Sequence, residues 1–384
     1  MAEIYRNLHL DEVLKKKSVL LLGPRSTGKS YYVRNQLDHV FTINLLKSSD
    51  FLALNENPSS LEDIVALHKG QIICIDEIQK IPSLLDEAHR LIEEQKVRFL
   101  FTGSSARKLK ARGVNLLAGR AWLANMFPLN SDELTRGGEK VWSVGQLLKY
   151  GSLPQVWTSR EPWEELDSYV QTYIDLEIKS EGTIRKIPQF VRFLKTAALS
   201  SGELINYANV ASDAGVPATT VKEHYQILED TLVGSTLEPW LESTKRKAIA
   251  TGKFYFFDCG VLNQIAGVFP QSENDPTWGQ RFEQFIINEV RCANSYQRRK
   301  KPIHFWRSTS QFEVDLLFGK TAIEIKSTRK VSEKHLKGLK ALAEEKSHKE
   351  FILVSQDSLD RKVDNIFVLN FRTFLSQLWK GSFS

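Results

Sequence analysis

The segment that most constrains this chain is Gly23-Pro24-Arg25-Ser26-Thr27-Gly28-Lys29-Ser30. It follows an apolar run, Ser18-Val19-Leu20-Leu21-Leu22, that reads as a buried parallel strand, and it opens into a helical stretch reaching Gln36. Glycines at both ends of a loop let the backbone curl so that successive amides point inward, and a helix starting at its far end adds a positive dipole. The spacing GxxxxGK[ST] in this strand–loop–helix context predicts a phosphate-binding loop. In that reading Gly23, Pro24, Arg25, Ser26, Thr27 and Gly28 wrap the phosphates of ATP. Lys29 supplies a mobile cation to the β- and γ-phosphates, and Ser30 offers a hydroxyl to Mg²⁺.

A second buried strand, Gln71-Ile72-Ile73-Cys74-Ile75-Asp76-Glu77, ends in two carboxylates. Asp76 suits the outer sphere of Mg²⁺ and Glu77 the polarisation of an attacking water; a solvated turn is the plainer alternative. A third strand, Val97 to Phe101, leads into Thr102-Gly103-Ser104-Ser105. Ser104 is a candidate sensor of the γ-phosphate, or else Ser104 or Ser105 caps a helix. Arg120 is a candidate for stabilising transferring charge, in cis or from a neighbouring subunit, which would imply a homo-oligomer formed through this domain. The alternative is a surface arginine.

These motifs, together with Leu117-Ala118-Gly119-Arg120, Tyr150-Gly151-Ser152-Leu153-Pro154 and Tyr255-Phe256-Phe257-Asp258-Cys259-Gly260, resemble a large prokaryotic family. Its members join an AAA-type ATPase domain to a C-terminal domain of unknown function that in many of them is similar to PD-(D/E)xK nucleases. The resemblance covers nearly the whole chain and implies an α/β fold: a P-loop AAA-type ATPase domain, a winged-helix-like middle and a C-terminal α/β nuclease-like domain. The boundaries expected are 1–160, 161–245 and 246–384.

In the middle part, Pro162 to Ile187 reads as a helix with an acidic face of Glu164, Glu165, Asp167, Asp175 and Glu177, broken at Ile187-Pro188. Helices are expected over Phe190–Leu199, Tyr207–Ala214 and Thr219–Thr231, with a small hairpin wing in Leu232–Leu237. That order suits a winged helix-turn-helix, with Thr219, Thr220, Lys222, Glu223 and Tyr225 as the reading face. The face is poor in base-reading side chains, so a spacer is the alternative.

Toward the C-terminus, Arg281 to Val290 reads as an amphipathic helix preceded by Gly279, and Phe312–Phe318 and Thr321–Lys326 as a hairpin turning at Gly319-Lys320. Residues two apart share a strand face, so Glu324 and Lys326 project together. Asp315, then Glu324-x-Lys326, is the D…ExK arrangement of the nuclease superfamily. It implies that Asp315, Glu324 and the helix acid Glu283 hold Mg²⁺ or Mn²⁺, with Lys326 orienting water or neutralising charge. Glu289 is a weaker substitute for Glu283. Retained but inactive acids, and ordinary surface pairing, are the alternatives.

The net charge of +6 comes from 52 basic and 46 acidic residues, and its distribution is uneven. Arg291 to Lys349 holds 15 Lys or Arg against 6 Asp or Glu, a net of +9, leaving about −3 for the remainder. A basic third of this kind suggests a polyanionic partner, DNA above all, with Arg298, Arg299, Lys300, Lys301, Arg329, Lys330, Lys334 and Lys337 meeting phosphates and Trp306 and Tyr296 available to stack on bases. Three scattered cysteines exclude a disulfide framework. No apolar run is long enough for a membrane helix and the start lacks a secretory pattern, so a cytoplasmic protein without membrane contact is expected. The function expected is ATP binding and hydrolysis joined to a domain that binds and cleaves DNA. The alternative is a nucleotide-controlled switch that binds DNA or a protein without cutting.

Overall fold

The computed structural model describes residues 4–105, 119–137, 141–173, 184 and 186–383, which group into two compact units. Among the described residues, one comprises those up to Leu129 with Ile227–Val233, and the other those from Asn130 to Gln226 and from Gly234 onward.

The first unit is built on five parallel strands, β1 (Ser18–Leu22), β2 (Val40–Asn44), β3 (Ile72–Asp76), β4 (Phe99–Gly103) and β5 (Ala121–Asn125), in the order β2-β3-β4-β1-β5. Strands β1 and β4 are buried along their whole length, which is why they read as unbroken apolar runs. Leu20, Leu22, Ile73, Ile75, Phe99 and Phe101 form one core face with Leu84, Leu85, Ala88, Leu91 and Ile92 of the helix Leu84–Gln95. The helical residues recur at three- and four-residue steps, and each large side chain so buried contributes about 1.5–3 kcal/mol. Cys74 lies fully buried inside β3.

The second unit begins with short helices, Ser131–Arg136, Val144–Tyr150, Pro154–Thr158 and Pro162–Thr172. Asp175 and Glu177 of the expected acidic face lie outside the described residues. Two of the family-like motifs meet here. Gly151 holds a φ of +70°, and a Cβ on it would stand 2.0 Å from a carboxylate oxygen of Asp258. That carboxylate accepts from the Ser152 and Val261 amides at 2.8 and 3.0 Å, capping the helix Cys259–Ala266. Burial pushes the Asp258 carboxyl up to about 6, against the pull of those amides.

Helices Ile187–Leu199, Tyr207–Ala214 and Ala218–Asp230 follow in the chain. Two expectations are corrected. Tyr225 is not on an exposed reading face: it is 5% exposed and packs edge-on against Phe193 and Tyr207, because it shares a helical stripe with Val221 and Leu228. Nor does Leu232–Leu237 fold back on itself. Only Gly234–Leu237 is a strand, β6, and its antiparallel partner is the later β7 (Lys253–Phe256).

The rest is a six-stranded mixed sheet of β8 (Ile303–Arg307), β9 (Glu313–Phe318), β10 (Thr321–Lys326), β11 (Glu350–Ser355), β12 (Arg361–Val363) and β13 (Ile366–Asn370), ordered β12-β13-β11-β10-β9-β8. Strands β9 and β10 form the expected hairpin, with Gly319 at φ +60° in the turn. The helix expected over Arg281–Val290 is longer, Pro276–Tyr296, because Asp275 caps it through the Thr277 amide and Pro276 opens it, so Gly279 lies inside it. The basic cluster is partly structural. Arg299 and Lys301 donate to the Phe383 carbonyl at 3.3 and 2.8 Å, and Arg329 forms two bonds to Glu273. Trp306 and Tyr296 are buried and present no stacking face. Among the described residues no helix is long and apolar enough to cross a membrane.

Candidate nucleotide site and carboxylate centre

In the first unit, Leu22 pairs with Gly103, so the loop that starts at Gly23 emerges beside the end of β4. The Gly23 amide donates to the Gly103 carbonyl at 3.2 Å, and a Cβ on Gly23 would approach the Met126 carbonyl to 2.5 Å, which leaves room for glycine alone. Gly28 is left-handed at φ 93° and leads directly into the helix Lys29–Gln36. Pro24 is buried, while Arg25 and Ser26 are half-buried at the loop's crest. Thr27 turns inward, its hydroxyl donating to the Pro24 carbonyl at 2.8 Å. The buried Lys29 ammonium folds back over the loop and donates to the Gly23 and Pro24 carbonyls at 2.8 and 3.0 Å.

Ser30 meets Asp76, its hydroxyl 2.9 and 3.1 Å from the two carboxylate oxygens, and Thr102 donates to the same carboxylate. Glu77 holds a φ of 63°, a conformation that costs a non-glycine residue on the order of 1–3 kcal/mol and tends to persist at working sites. Its amide donates to the Thr102 hydroxyl at 3.1 Å. Gln79 donates to the Glu77 carboxylate and, at 3.2 Å, to the Ser104 hydroxyl, so the expected base and the expected sensor are tied through one amide. Sequence reasoning passed over Thr102 and Gln79, although both lie within three residues of a named candidate. It also passed over Arg6, which donates to the Thr27, Phe127 and Pro128 carbonyls at 2.7, 2.6 and 3.2 Å and braces the loop from outside.

Arg120 is not brought to this loop. It precedes β5, whose first residue Ala121 pairs with Ser18 at the start of β1. The phosphate loop leaves the other end of that strand, roughly 16 Å away at ~3.3 Å per residue. Arg120 is ion-paired with Glu93. This placement removes the cis role; Leu117 and Ala118 lie outside the described residues.

In the second unit the hairpin brings Asp315, Glu324 and Lys326 together. Asp315 accepts from the Ile325 amide at 2.8 Å, and the Lys326 ammonium stands 3.2 Å from Asp315 and 2.6 Å from Glu324. Glu283 joins from the long helix: it accepts from the Tyr255 hydroxyl at 2.5 Å and faces Lys253 at 3.5 Å. Lys253 in turn is 2.6 Å from Glu313. Glu289 does not join. Six residues further along the helix is about 240° of rotation, and there it accepts from the Ser131 amide, the Ser131 hydroxyl and the Trp379 indole at 2.8, 2.8 and 3.0 Å. Lys253 and Tyr255 were missed as site residues because they arrive from a strand distant in sequence.

Burial raises the Glu324 carboxyl well above the ordinary range, and the charge of Asp315 adds to it against Lys326. Burial likewise raises Glu283, with Lys253 opposing and Asp315 reinforcing the shift. For Lys326 burial acts downward, yet Asp315 and Glu324 together raise it. One oxygen of Glu324, Oε2, is buried with no hydrogen-bond partner. Such an orphan is costly, and a divalent ion would satisfy it. Among the described residues no three Asp, Glu, His or Cys side chains form a ready ligand cluster; here an ammonium stands between the acids. Asp315 and Glu324 therefore fit a divalent ion once Lys326 moves aside, and its 35% exposure gives it solvent to move into.

Comparison with known proteins divides the chain into three matched stretches. Residues 15–135 match an AAA domain, residues 142–272 a domain of unknown function (DUF8612), and residues 278–374 another domain of unknown function (DUF4143). Residues 15–135 thus correspond to an AAA-type ATPase domain, and the Gly23–Ser30 loop lies within the matched stretch. Uncharacterized proteins of Mycobacterium bovis and Mycobacterium tuberculosis are each 26% identical over 325 residues, covering 82% of this chain and 69% of their own length. Among solved structures, the Orc1 protein of Aeropyrum pernix in complex with DNA aligns at 13% identity over 69% of this chain and 94% of its own, with a TM-score of 0.28, which is too low to bear on fold or partner.

Proposed function

We propose that this chain hydrolyses ATP and that its C-terminal part binds DNA and cleaves it at the Asp315–Glu324–Lys326 centre. The observation that supports the nuclease reading is the meeting of those three side chains on one hairpin, with a buried carboxylate oxygen left without a partner. At the loop, Lys29 exchanges the Gly23 and Pro24 carbonyls for the β- and γ-phosphates. Ser30 and Asp76 are the residues that would hold Mg²⁺, Glu77 would orient the attacking water, and Ser104 would report on the γ-phosphate through Gln79. At the hairpin, Asp315 and Glu324, with Glu283 beside them, are the residues that would hold Mg²⁺ or Mn²⁺. Such an ion activates a water and steadies charge on the phosphodiester. Lys326, displaced from between the acids, is then placed to orient that water or to meet the developing negative charge. The working division into 1–160, 161–245 and 246–384, the winged-helix role of the middle helices, and action of Arg120 on a second copy's nucleotide belong to the same proposal.

The test is nicking of supercoiled plasmid in Mg²⁺ and in Mn²⁺. Cleavage by the wild type that disappears in both Asp315→Asn and Lys326→Ala sustains the proposal, and cleavage that persists in both sinks it. A second reading is favoured by one observation: Lys326 neutralises both acids in the resting arrangement. In that reading the protein is a nucleotide-controlled switch that binds DNA or a protein without cutting, and binding without nicking in either metal supports it.

A further inference from the structure

The acids of the C-terminal centre are arranged as two pairs, each bridged by a lysine. Lys326 stands between Asp315 and Glu324 at 3.2 and 2.6 Å; Lys253 stands between Glu283 and Glu313 at 3.5 and 2.6 Å. The two bridges differ in freedom. The Lys326 side chain is 35% exposed and ends a strand, whereas the Lys253 side chain is 4% exposed. Lys253 begins β7, paired there with Leu237, and its ammonium lies 5.3 Å from the centre of the Phe305 ring. The Tyr255 hydroxyl closes the Glu283 side at 2.5 Å, and Arg307 reaches Glu313 at 3.3 Å.

An ammonium buried this deeply is costly unless opposing charge surrounds it, and an apolar side chain would pack in its place. Between two carboxylates it stands where a cation bound by both would stand. We infer that Lys253 is a built-in cation taking the place of a second metal ion, so that the centre accepts one divalent ion, at Asp315 and Glu324. Lys253 acts here as a positioning residue. It holds the Glu283 carboxylate in a fixed pose beside the ion-binding pair and keeps Glu283 and Glu313 from becoming ligands of another ion. The inference rests on the metal-dependent reading of the centre and adds its stoichiometry.

The experiment is calorimetric titration of the full chain, without nucleotide, with Mn²⁺ as the probe and Asp315→Asn as the blank. Wild type is expected to take up one Mn²⁺ per chain that Asp315→Asn does not. Lys253→Met is expected to take up two, and Lys253→Arg, which keeps the charge, to return to one. Two Mn²⁺ in wild type overturn the inference, as does a folded Lys253→Met that still takes up one. The wild-type count needs no change at Lys253, so the inference stays testable if that variant fails to fold. No uptake in wild type overturns the metal reading itself and this inference with it, and zero is readily told from two.

Discussion

At the nucleotide loop the hydrogen bonds seen run to neutral groups: Lys29 donates to two carbonyls, Asp76 accepts from the hydroxyls of Ser30 and Thr102, and Glu77 accepts from the amide of Gln79. At the carboxylate centre they are met by opposite charge: Lys326 by Asp315 and Glu324, Lys253 by Glu283 and Glu313. The difference sets how each region responds to a ligand. A neutral partner gives way readily to a phosphate or a metal ion, because a stronger interaction replaces a weaker one. An ion pair must first be broken, and the incoming ion has to supply what the lysine withdraws. The loop is poised, whereas the centre is conditional.

The largest effects follow from the poised region. Glu77→Gln keeps the side chain's shape and its tie to Gln79 but loses the base, so ATP binding is retained while turnover falls by ~10²–10⁴-fold. Lys29→Ala weakens ATP affinity by roughly 10²-fold or more, as removal of a charge-assisted contact to a polyanion requires. Calorimetry gives the affinities and phosphate release the rates. Wild-type hydrolysis by both variants would mean that the loop and Asp76-Glu77 are not the hydrolytic site.

The conditional region gives the next effect. Asp315→Asn removes one of the two acids that hold Lys326 and one of the two that would hold the ion. Plasmid nicking should drop by at least ~10²-fold, the scale on which loss of a group that orients or activates a nucleophile is felt. Lys326→Ala sharpens the comparison, since it removes the competing ammonium as well as a catalytic group. Mn²⁺ affinity should rise in Lys326→Ala while nicking falls. If affinity falls too, the ammonium is not competing with the ion, and the contrast between a poised and a conditional site fails.

How much of each region was legible in the sequence follows from the same physics. The loop is eight consecutive residues between a strand and a helix, so its chemistry is local and spacing alone locates it. The D…ExK hairpin is nearly as local, with eleven residues from Asp315 to Lys326 and a two-residue turn. What the sequence did not disclose is what arrives from a distance: Arg6 bracing the loop, and Lys253 and Tyr255 meeting Glu283 across about 30 residues. Tyr225 misled because a helical residue can be read on either of two faces until the partners of the helix are known. The cis reading of Arg120 misled because nearness in sequence to a strand does not say at which end of that strand a residue stands.

Glu289 carries the loop's manner of holding charge into the second unit, since its buried carboxylate has only neutral donors, Ser131 and Trp379, among its hydrogen-bond partners. Burial pushes it up to about 7 despite those donors. A carboxylate raised on folding binds its proton more tightly in the folded state, so stability falls as pH rises. The loss runs from near the ordinary glutamate value to about 7 and amounts to roughly 2–4 kcal/mol. Chemical denaturation at pH 5 and pH 7.5 should show this slope in the wild type and a flatter one in Glu289→Gln. An unchanged slope would show that neutral donors are enough to keep a buried carboxylate near its ordinary range.

The smallest effect concerns the basic surface, where the same distinction separates two kinds of cation. Arg299 and Lys301 are committed to the Phe383 carbonyl, so replacing them with Gln should lower stability and leave DNA affinity nearly unchanged. Lys334 and Lys337 are exposed, in the turn before and at the first position of the helix Lys337–Ala343 that packs over the hairpin, and no hydrogen bond or ion pair to the described residues holds their side chains. For a protein that binds duplex DNA, each phosphate neutralised contributes about 0.9 to the slope of log affinity against log salt. Lys334→Gln with Lys337→Gln should therefore flatten that slope by about 1 to 2 with no loss of stability, read from fluorescence anisotropy at several salt concentrations. If the slope moves instead with Arg299 and Lys301, the cations bound to the Phe383 carbonyl are the ones that meet DNA. The division between committed and available charge would then fail where the structure draws it most plainly.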